Sequence, residues 1–491
     1  MSEADSTVRC RTLIIGGGFG GLGLAIRLAK AGLDDFLLLE KQADVGGVWW
    51  ANRYPGAACD VPTALYSFSF ESGFDWSRKY PQQGEILAYL RHCADRYRLR
   101  PHIRCSCEAT AARWDAARQC WVVAAADGTR YEADNLCAAC GILRRPLIPA
   151  LPGMEDFAGP LMHTARWDPA VDFAGSTVAV IGTGASAVQV IPELARTARR
   201  VHVFQRSAPY CIPRGDRAYG RFERALRRRL PWLRGLDRLF TYLNFELMGL
   251  GFIHAPLIMQ ELRRRWRANL RRGVADPALR RQLTPDYAIG CKRVLITSEY
   301  YQALSAPQVE LHPQGVAGLT AAGVVAADGT HTPCDAVVLA TGFRALDFLA
   351  PLTVTGSAGQ TLAQAWADGP RAYKGVTVHG FPNLYLLYGP NTNLGHNSIV
   401  YMLESQFNYI ISALTQQRGH GLGPLQVKRE RLEAWAAAMQ RRQANTPWSS
   451  GCRSWYLDEA GNNYLNWPGL TPQYRRQLRR FDLADYEVLA R

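Results

Sequence analysis

The sequence predicts an α/β protein with two nested Rossmann-like domains, the second of which contains a helical insertion. Two glycine-rich turns carry this prediction. Each follows a short apolar, β-branched run and opens a helical pattern, which is the context that a dinucleotide fingerprint requires. The glycines let a pyrophosphate approach backbone N–H groups at a helix N-terminus. The sequence therefore predicts two dinucleotide-binding domains.

The first turn has the form G-x-G-x-x-G and follows the run Leu13–Ile15. The second has the form G-x-G-x-x-A and follows the run Val178–Ile181. A single turn of this kind also occurs with no ligand, but two copies at matched internal spacing argue against that interpretation. The predicted dinucleotide-binding residues of the two turns are Gly16, Gly18 and Gly21 in the first, and Gly182, Thr183, Gly184, Ser186 and Ala187 in the second.

The strands that follow the two turns end in opposite charges. Glu40 lies 24 residues after Gly16, and Arg206 lies 24 residues after Gly182. A carboxylate at this position accepts hydrogen bonds from a free ribose 2′-OH, whereas an arginine binds a 2′-phosphate bidentately. The second turn is therefore predicted to bind NADP(H). FAD is predicted at the first, because a flavin and NADPH form a working redox pair.

Composition is that of an ordinary globular chain of about three domains, with 491 residues, 48% apolar and 20% charged. Met1–Thr7 is short and polar, without the features of a signal peptide, so a cytoplasmic location is predicted.

The 12 cysteines are scattered and are expected to be reduced. Cys105-x-Cys107 and Cys137-x-x-Cys140 have no second pair or histidine nearby, and no metal site is predicted.

The net charge of +15 is concentrated in one segment. Residues 214–281 contain 17 arginines and six acidic residues. An apolar run within them, Leu239–Met259, is interrupted by polar residues and by Pro256, which argues against a transmembrane helix. Two interpretations stay open: a buried helix pair with a solvated arginine face, or a surface in weak contact with a membrane or an apolar substrate.

Proline-rich and small-residue stretches divide the chain. Pro146, Pro149 and Pro152 form a linker after the first unit, because proline stops regular structure. The basic, helical segment begins after Arg206, and a further buried strand ends at Ala340-Thr341-Gly342. The predicted domains are an FAD-binding domain over 1–145 and 343–491, an NADP-binding domain over 153–210 and 290–342, and a helical insertion over 212–288.

The segment Phe157–Asp168, between the two turns, resembles the F-x-G-x-x-x-H-x-x-x-W-[P/D] fingerprint of type I Baeyer–Villiger monooxygenases. It fits at every specified position, including His163, Trp167 and Asp168. Taken alone, His163 is typical of a structural linker histidine. It is therefore interpreted as a residue that positions the hinge between domains without taking part in chemistry.

The resemblance covers most of the chain. Cys140 departs from it, because the family has threonine in this turn, and this affects the linker rather than catalysis. On the flavin side, Gly46–Trp49 and Asn52–Gly56 resemble the family's flavin loop, with Gly47 and Trp49, and Asp60 stands where the family has a carboxylate beside the flavin. On the NADP side, Gly290–Arg293 resembles the segment in which Lys292 contacts NADP and Arg293 is the active-site cation. Ala340–Gly342 resembles the turn that connects the domains, and Ser454–Tyr456 resembles the mobile loop whose Trp455 folds over NADP.

The resemblance implies an FAD- and NADPH-dependent monooxygenase. Such an enzyme inserts one oxygen atom of O₂ next to a ketone carbonyl and yields an ester or lactone via a flavin C4a-peroxide. The peroxide must stay deprotonated, and a fixed cation beside it stabilises its charge. Arginine suits this role because it is no proton donor near neutral pH. Arg293 and the carboxylate that holds it, Asp60, are the predicted catalytic residues.

Three alternatives stay open from the sequence. The first is a flavin-containing monooxygenase that oxygenates nitrogen or sulfur, against which Trp167, Asp168 and Arg293 argue. The second is a pyridine-nucleotide disulfide oxidoreductase that uses Cys137 and Cys140. The third is a non-enzymatic basic protein that binds nucleic acid or an anionic membrane, which leaves both glycine turns unexplained. No nucleic-acid partner is predicted, and the identity of the ketone and the oligomeric state are left open.

Overall fold

The computed structural model describes residues 7–253 and 256–490. The polar segment 1–6 and His254, which entered the sequence interpretation, lie outside the described residues. The strands are β1 Thr7–Ile15, β2 Phe36–Leu39, β3 Ile103–Arg104, β4 Ala109–Asp115, β5 Cys120–Ala125, β6 Arg130–Ala138, β7 Leu161–His163, β8 Thr177–Ile181, β9 Arg200–Phe204, β10 Cys211–Ile212, β11 Leu295–Ile296, β12 Val309–His312, β13 Val316–Thr320, β14 Gly323–Ala326, β15 His331–Pro333, β16 Ala336–Leu339, β17 Thr353–Thr355, β18 Leu384–Leu386, β19 Leu425–Val427 and β20 Tyr486–Val488.

Helices connect and cover these strands. They are α1 Phe19–Lys30, α2 Val48–Ala51, α3 Gln83–Arg96, α4 Ala187–Thr197, α5 Arg221–Arg229, α6 Pro231–Ile253, α7 Pro256–Gly273, α8 Pro277–Gln282, α9 Tyr300–Leu304, α10 Leu362–Ala365, α11 Ile399–Gly419, α12 Arg429–Gln443 and α13 Thr471–Gln477. No helix within 7–253 or 256–490 combines the length and the apolar character needed to cross a membrane.

The first sheet has the strand order β17-β4-β5-β6-β1-β2-β3, and β18 also pairs with β6. β1 runs parallel to both β2 and β6, as a Rossmann unit requires. The apolar end of β1, Leu13–Ile15, is buried, and the glycine turn follows it directly. Helix α1 packs on α11, where Gly23 allows the ring of Phe407 to approach the helix backbone.

The second sheet has the order β12-β9-β8-β16-β7, with every neighbouring pair parallel. An antiparallel meander of β13, β14 and β15 packs against it through an apolar cluster that includes Phe204 and Leu319. The strands of the second sheet and of the meander all lie in sequence between β6 and β17 of the first sheet. The second unit is therefore inserted in the first, which confirms the predicted fold class. The domain boundaries themselves stay a prediction.

Helices α5 to α8 form the insertion between β10 and β11. These two short strands pair in parallel, with Cys211 opposite Leu295, so the insertion leaves and re-enters the second unit at one place. One face of α6 is buried and the other is exposed and apolar. The interpretation of a buried helix pair with a solvated arginine face is therefore wrong for α6.

His163 joins the fingerprint segment to the turn that leads back to the first unit. Its Nδ1 accepts a hydrogen bond from Ala165 N at 3.0 Å, so the proton is on Nε2, which donates to Gly342 O at 3.1 Å. The side chain is buried, and burial lowers the pKa of His163 to about 4. A neutral imidazole with both nitrogens bonded to backbone supports a positioning role at the hinge.

We expect His163 to make the stability of the protein pH-dependent. An unfolded chain binds a proton at this imidazole near pH 6.5, whereas the folded chain does so only near pH 4. The unfolded state therefore binds more protons in this window, and stability falls as the pH drops from about 6.5 to 4, by up to about 1.4 kcal/mol per unit. Replacing His163 with Gln, which retains an N–H donor, should remove this slope in urea titrations. Parallel pH profiles for both proteins would contradict the prediction.

Candidate active site

The first glycine of each turn packs against the end of a neighbouring strand. Gly16 and Gly182 have φ values of +109° and +114°, in the region that favours glycine. A Cβ atom on Gly16 would lie 2.5 Å from Ala139 O, and one on Gly182 would lie 2.5 Å from Ala340 O. The two units thus use the same contact, in which the turn touches the strand next to it.

The third position of each glycine turn lies in the first turn of the helix that follows. A Cβ atom on Gly21 would overlap Gly16 O, so only glycine fits there. Its counterpart Ala187 carries a methyl group that is fully buried in the apolar cluster of the second unit. The second turn is therefore slightly wider at this point, which agrees with the G-x-G-x-x-A pattern.

The second glycine of each turn faces open space at a helix N-terminus. A Cβ atom on Gly184 would meet no atom within 4 Å, and one on Gly18 would meet only Gly47 Cα, at 3.5 Å. Gly18 caps α1 and Ser186 caps α4, and neither helix has a side-chain cap. The first N–H groups of both helices are thus available to a ligand, and this cradle fits the pyrophosphate of a dinucleotide.

Glu40 lies just after β2, at the edge of the first turn. Its Oε2 accepts from Gly17 N at 2.6 Å, and its Oε1 accepts from Gln42 N at 2.8 Å. Burial raises the pKa of this carboxyl group. Each oxygen retains a lone pair, so the carboxylate can bind a ribose hydroxyl while it holds the turn. The environment fits a dinucleotide without a 2′-phosphate.

Gly47 and Trp49 belong to a tight loop and the short helix α2 beside the first turn. Gly47 has a φ of +54°, and a Cβ atom on it would lie 2.9 Å from Gly18 Cα. Trp49 Nε1 donates to Tyr66 Oη at 3.0 Å, and its carbonyl accepts from the side chain of Gln83. This loop therefore forms one wall of the cradle at the first glycine turn.

Two cations lie close together beside the second turn. Arg206 is exposed after β9, and Lys292 Nζ donates to Ser207 Oγ at 2.8 Å. Thr183 Oγ1 donates to the carbonyl of the same Ser207, at 2.9 Å. Burial and the nearby charge of Arg206 lower the pKa of Lys292. Within the described chain neither cation forms a salt bridge, so both are available to an anion such as a 2′-phosphate.

Arg293 and Asp60 form an ion pair between the two units. Asp60 Oδ2 accepts from Arg293 Nη2 at 2.7 Å and from Nε at 2.9 Å, and Arg293 Nη1 donates to Leu394 O at 3.4 Å. Asp60 raises the pKa of the guanidinium further, so the side chain stays charged. The two side chains are 26% and 23% exposed, which places a fixed cation at an accessible position.

Gln189 attaches the Asp60 loop to the second unit, a role that the sequence did not indicate. Its Oε1 accepts from Tyr54 Oη at 2.8 Å, and its Nε2 donates to Ala58 O at 2.9 Å. Gly56 approaches the Gln189 backbone so closely that a Cβ atom would lie 2.6 Å from its carbonyl oxygen. A glutamine within a helix has no distinctive pattern, and the contact spans 131 residues, so no sequence signal could have found it.

A disulfide joins Cys291 to Cys452, with 6.3 Å between their Cα atoms. The expectation that all cysteines are reduced is wrong for this pair, because residues 161 positions apart in sequence show no local spacing pattern. Cys291 directly precedes Lys292, and Cys452 lies three residues before Trp455. The Trp455 side chain is 38% exposed, and its ring lies 4.4 Å from that of Tyr456.

Cys137 and Cys140 are both free thiols, and Cys137 is fully buried within β6. Burial raises the pKa of both thiols, so neither is activated as a nucleophile. The structure therefore contradicts the alternative in which this pair serves a disulfide oxidoreductase.

The first cradle carries a carboxylate and the second carries two cations, and a fixed arginine lies between the two units. This arrangement defines an oxidoreductase that passes electrons from a nicotinamide to a second dinucleotide. Residues 13–218 match the family described as Pyridine nucleotide-disulphide oxidoreductase. A Baeyer-Villiger monooxygenase from Streptomyces coelicolor is 43% identical over 481 residues, which covers 98% of this chain and 92% of that protein.

Two solved structures have the same fold. Oxidized steroid monooxygenase bound to NADP superposes with a TM-score of 0.87 at 31% identity, covering 98% of this chain and 100% of that one. OTEMO in complex with FAD and NADP superposes with a TM-score of 0.88 at 26% identity, covering 98% and 99%.

The chain belongs to the Baeyer–Villiger monooxygenases. It is an FAD- and NADPH-dependent enzyme that oxygenates next to a carbonyl group, as the fingerprint and the glycine turns predicted. These relatives favour oxygenation beside a carbonyl group over oxygenation of nitrogen or sulfur, and they contradict the non-enzymatic binding protein.

The geometry of the second turn predicts different outcomes for its two glycines. Gly184→Ala places a methyl group in the open space above α4, so the protein should fold normally while KM for NADPH rises about tenfold or more. Gly182→Ala serves as the matched control, since its methyl group would collide with Ala340 O and lower the melting temperature. Steady-state kinetics and thermal unfolding measure the two effects. A Gly184→Ala enzyme with unchanged KM for NADPH would contradict this assignment.

Proposed function

We propose that Arg293 is the catalytic cation of this Baeyer–Villiger monooxygenase and that Asp60 positions it. The observation that carries the proposal is the ion pair of 2.7 Å between them. It joins a loop beside the first glycine turn to the segment that follows the helical insertion. A charged group held at the junction of the two units is placed to act on a reaction that needs both dinucleotides.

FAD when bound supplies the activation of O₂ for attack on a ketone carbonyl, with NADPH as the source of electrons. Its pyrophosphate is assigned to Gly16, Gly18 and Gly21, with Glu40 on the ribose and Gly47 and Trp49 along the wall. Asp60 is also assigned to the FAD site. NADPH is assigned to Gly182, Thr183, Gly184, Ser186 and Ala187, with Arg206 and Lys292 on the 2′-phosphate and Trp455 as a closing side chain.

Arg293 performs two tasks in this proposal. Its guanidinium keeps its proton, because Asp60 raises its pKa, and so it cannot protonate an oxygen nucleophile. It also stabilises negative charge that develops beside it, and this effect is strongest where little water is present. Asp60 fixes the direction of the guanidinium through two hydrogen bonds to one oxygen atom.

The substrate class is a ketone, with O₂ as the co-substrate and an ester or lactone as the product. Among the relatives, a steroid monooxygenase carries a substrate class in its name. We also propose the cytoplasmic location that the sequence predicts, in which the Cys291–Cys452 bond would be an exception among mostly reduced thiols.

The activity is tested by anaerobic reduction of the purified flavoprotein with NADPH, followed by oxygen and a panel of cyclic and linear ketones. Esters or lactones that contain one atom of labelled O₂ are expected in mass spectra. Oxidation of a thioether or an amine without any ester would contradict the proposed substrate class.

Arg206→Ala should weaken NADPH binding far more than NADH binding. The loss of charge-assisted hydrogen bonds to the 2′-phosphate is expected to amount to about 1.5–3 kcal/mol, or ten- to a hundredfold in KM. Arg200→Ala is the matched control. Arg200 lies at the start of β9, the strand that Arg206 follows, and pairs there with the exposed Glu310. An equal loss for NADPH and NADH would mean that Arg206 supports the fold instead.

Arg293→Ala should separate NADPH oxidation from oxygenation. The variant should fold and retain FAD, because the first unit holds that cofactor, while ester yield falls about a hundredfold or more and hydrogen peroxide accumulates. Asp60→Ala should show a milder form of the same uncoupling, since the charge stays but its position is lost. Arg118→Ala, which removes an arginine paired with Glu132 away from both cradles, is the control. Product yield and peroxide are measured per NADPH consumed, and an Arg293→Ala enzyme with wild-type ester yield would refute the assignment.

A further inference from the structure

The exposed face of α6 is apolar along most of its described length. We call its large side chains the apolar stripe: Trp232, Leu236, Leu239, Phe240, Leu243 and Leu247, which are 41–67% exposed. Their spacing of three or four residues places them on one side of the helix. The other exposed positions with described side chains are Pro231, Gly235 and Asn244, so no charged residue interrupts this face. Contiguous exposed apolar surface of this kind marks an interaction site.

Contacts on the opposite face fix the rotation of α6. Glu246 accepts hydrogen bonds from the Asn397 side chain at 2.5 Å and from Thr471 N at 3.2 Å. One turn earlier Tyr242 Oη bonds Thr471 Oγ1 at 3.1 Å, and Arg238 donates to Ala64 O at 2.8 Å. Because these polar groups anchor the helix to the rest of the chain, the apolar stripe cannot rotate inward and needs an external partner.

The helices on either side of α6 combine exposed apolar and cationic groups. On α5, Phe222, Leu226 and Arg229 are exposed and share one face by their spacing. On α7, Leu257 is 74% exposed, and Arg264, seven residues later on the same face, has a side chain that is 81% exposed. Large apolar groups next to arginines are the pattern of helices that lie in a membrane interface with anionic lipids.

We propose that the apolar stripe docks on the surface of an anionic phospholipid bilayer. The stripe covers 16 residues, from Trp232 to Leu247, and the distance between these two ends corresponds to about 22 Å of helix lying parallel to the membrane plane. The segment 214–281, with 17 arginines and six acidic residues, supplies the electrostatic attraction, which extends about 8 Å in physiological salt. This property goes beyond the proposed oxygenation and does not depend on it.

Charge also decides against a second copy of this chain as the occupant. A two-fold dimer through the apolar stripe would use the same patch on both subunits, and so would bring two arginine-rich segments together. Like charges in such an interface oppose association, whereas phosphate head groups are complementary to them. The anionic bilayer is therefore the partner that the charge distribution favours.

The FAD-loaded enzyme is mixed with vesicles of phosphatidylcholine and phosphatidylglycerol in equal parts, or of phosphatidylcholine alone, and bound protein is measured by flotation. Binding to the anionic vesicles is expected, with weaker binding at high salt. The double variant Phe240→Ser/Leu243→Ser should reduce the partition coefficient at least about tenfold. Val488→Ser, which removes an exposed apolar residue of β20 outside the insertion, should behave as wild type.

Flavin content and thermal unfolding establish that the double variant is folded, and sedimentation velocity reports its association state. Absence of binding to the anionic vesicles, or unchanged binding of a folded double variant, would overturn the proposal. A third outcome would also overturn it: the wild-type protein is a dimer, the double variant is a monomer, and neither binds vesicles. The apolar stripe would then be a contact between two copies of the chain.

Discussion

The Arg293–Asp60 ion pair is the interaction on which the arrangement of this enzyme depends. It connects two segments from different units, and each is fixed by other contacts. The Asp60 loop is held against α4 by Gln189, and Arg293 also reaches the carbonyl of Leu394 from the returning first unit. A guanidinium in this position has one orientation relative to both dinucleotide cradles. The geometry of the cation is therefore set by the nesting of the two units rather than by either one alone.

The nested topology also explains why the fingerprint segment has its composition. β7 pairs with β16 at the edge of the second sheet, and His163 at its end bonds to the turn that follows β16. The chain enters and leaves the second unit through these neighbouring strands. A buried neutral histidine ties the two crossings together, so the two units are connected at a double hinge of defined geometry.

Sequence reasoning succeeded where the chemistry is local. The glycine turns, the charges that follow them and the family fingerprint are each contained within a few dozen residues, and they were sufficient to predict the fold class, the two cofactors and the reaction. Apart from the pairing of Arg293 with Asp60, which the family resemblance implied, it did not reach contacts between distant segments. Gln189 and the Cys291–Cys452 bond depend on how the units dock, and neither has a recognisable spacing. The exposure of α6 was left open between two interpretations, a buried helix pair and a contact surface, since an apolar run in sequence does not reveal which side of a helix is covered.

The Cys291–Cys452 bond limits the reach of the C-terminal loop. Trp455 lies three residues beyond Cys452, and a chain of that length extends no more than about 10 Å. While the bond is intact, the 6.3 Å between the Cα atoms of Cys291 and Cys452 adds to this length, so the Cα atom of Trp455 stays within about 16 Å of Cys291, which directly precedes Lys292. Reduction of the bond would release the tether, and the loop would then be held only by non-covalent packing. The redox state of this cysteine pair therefore limits how far Trp455 can move from the segment that carries Lys292 and Arg293.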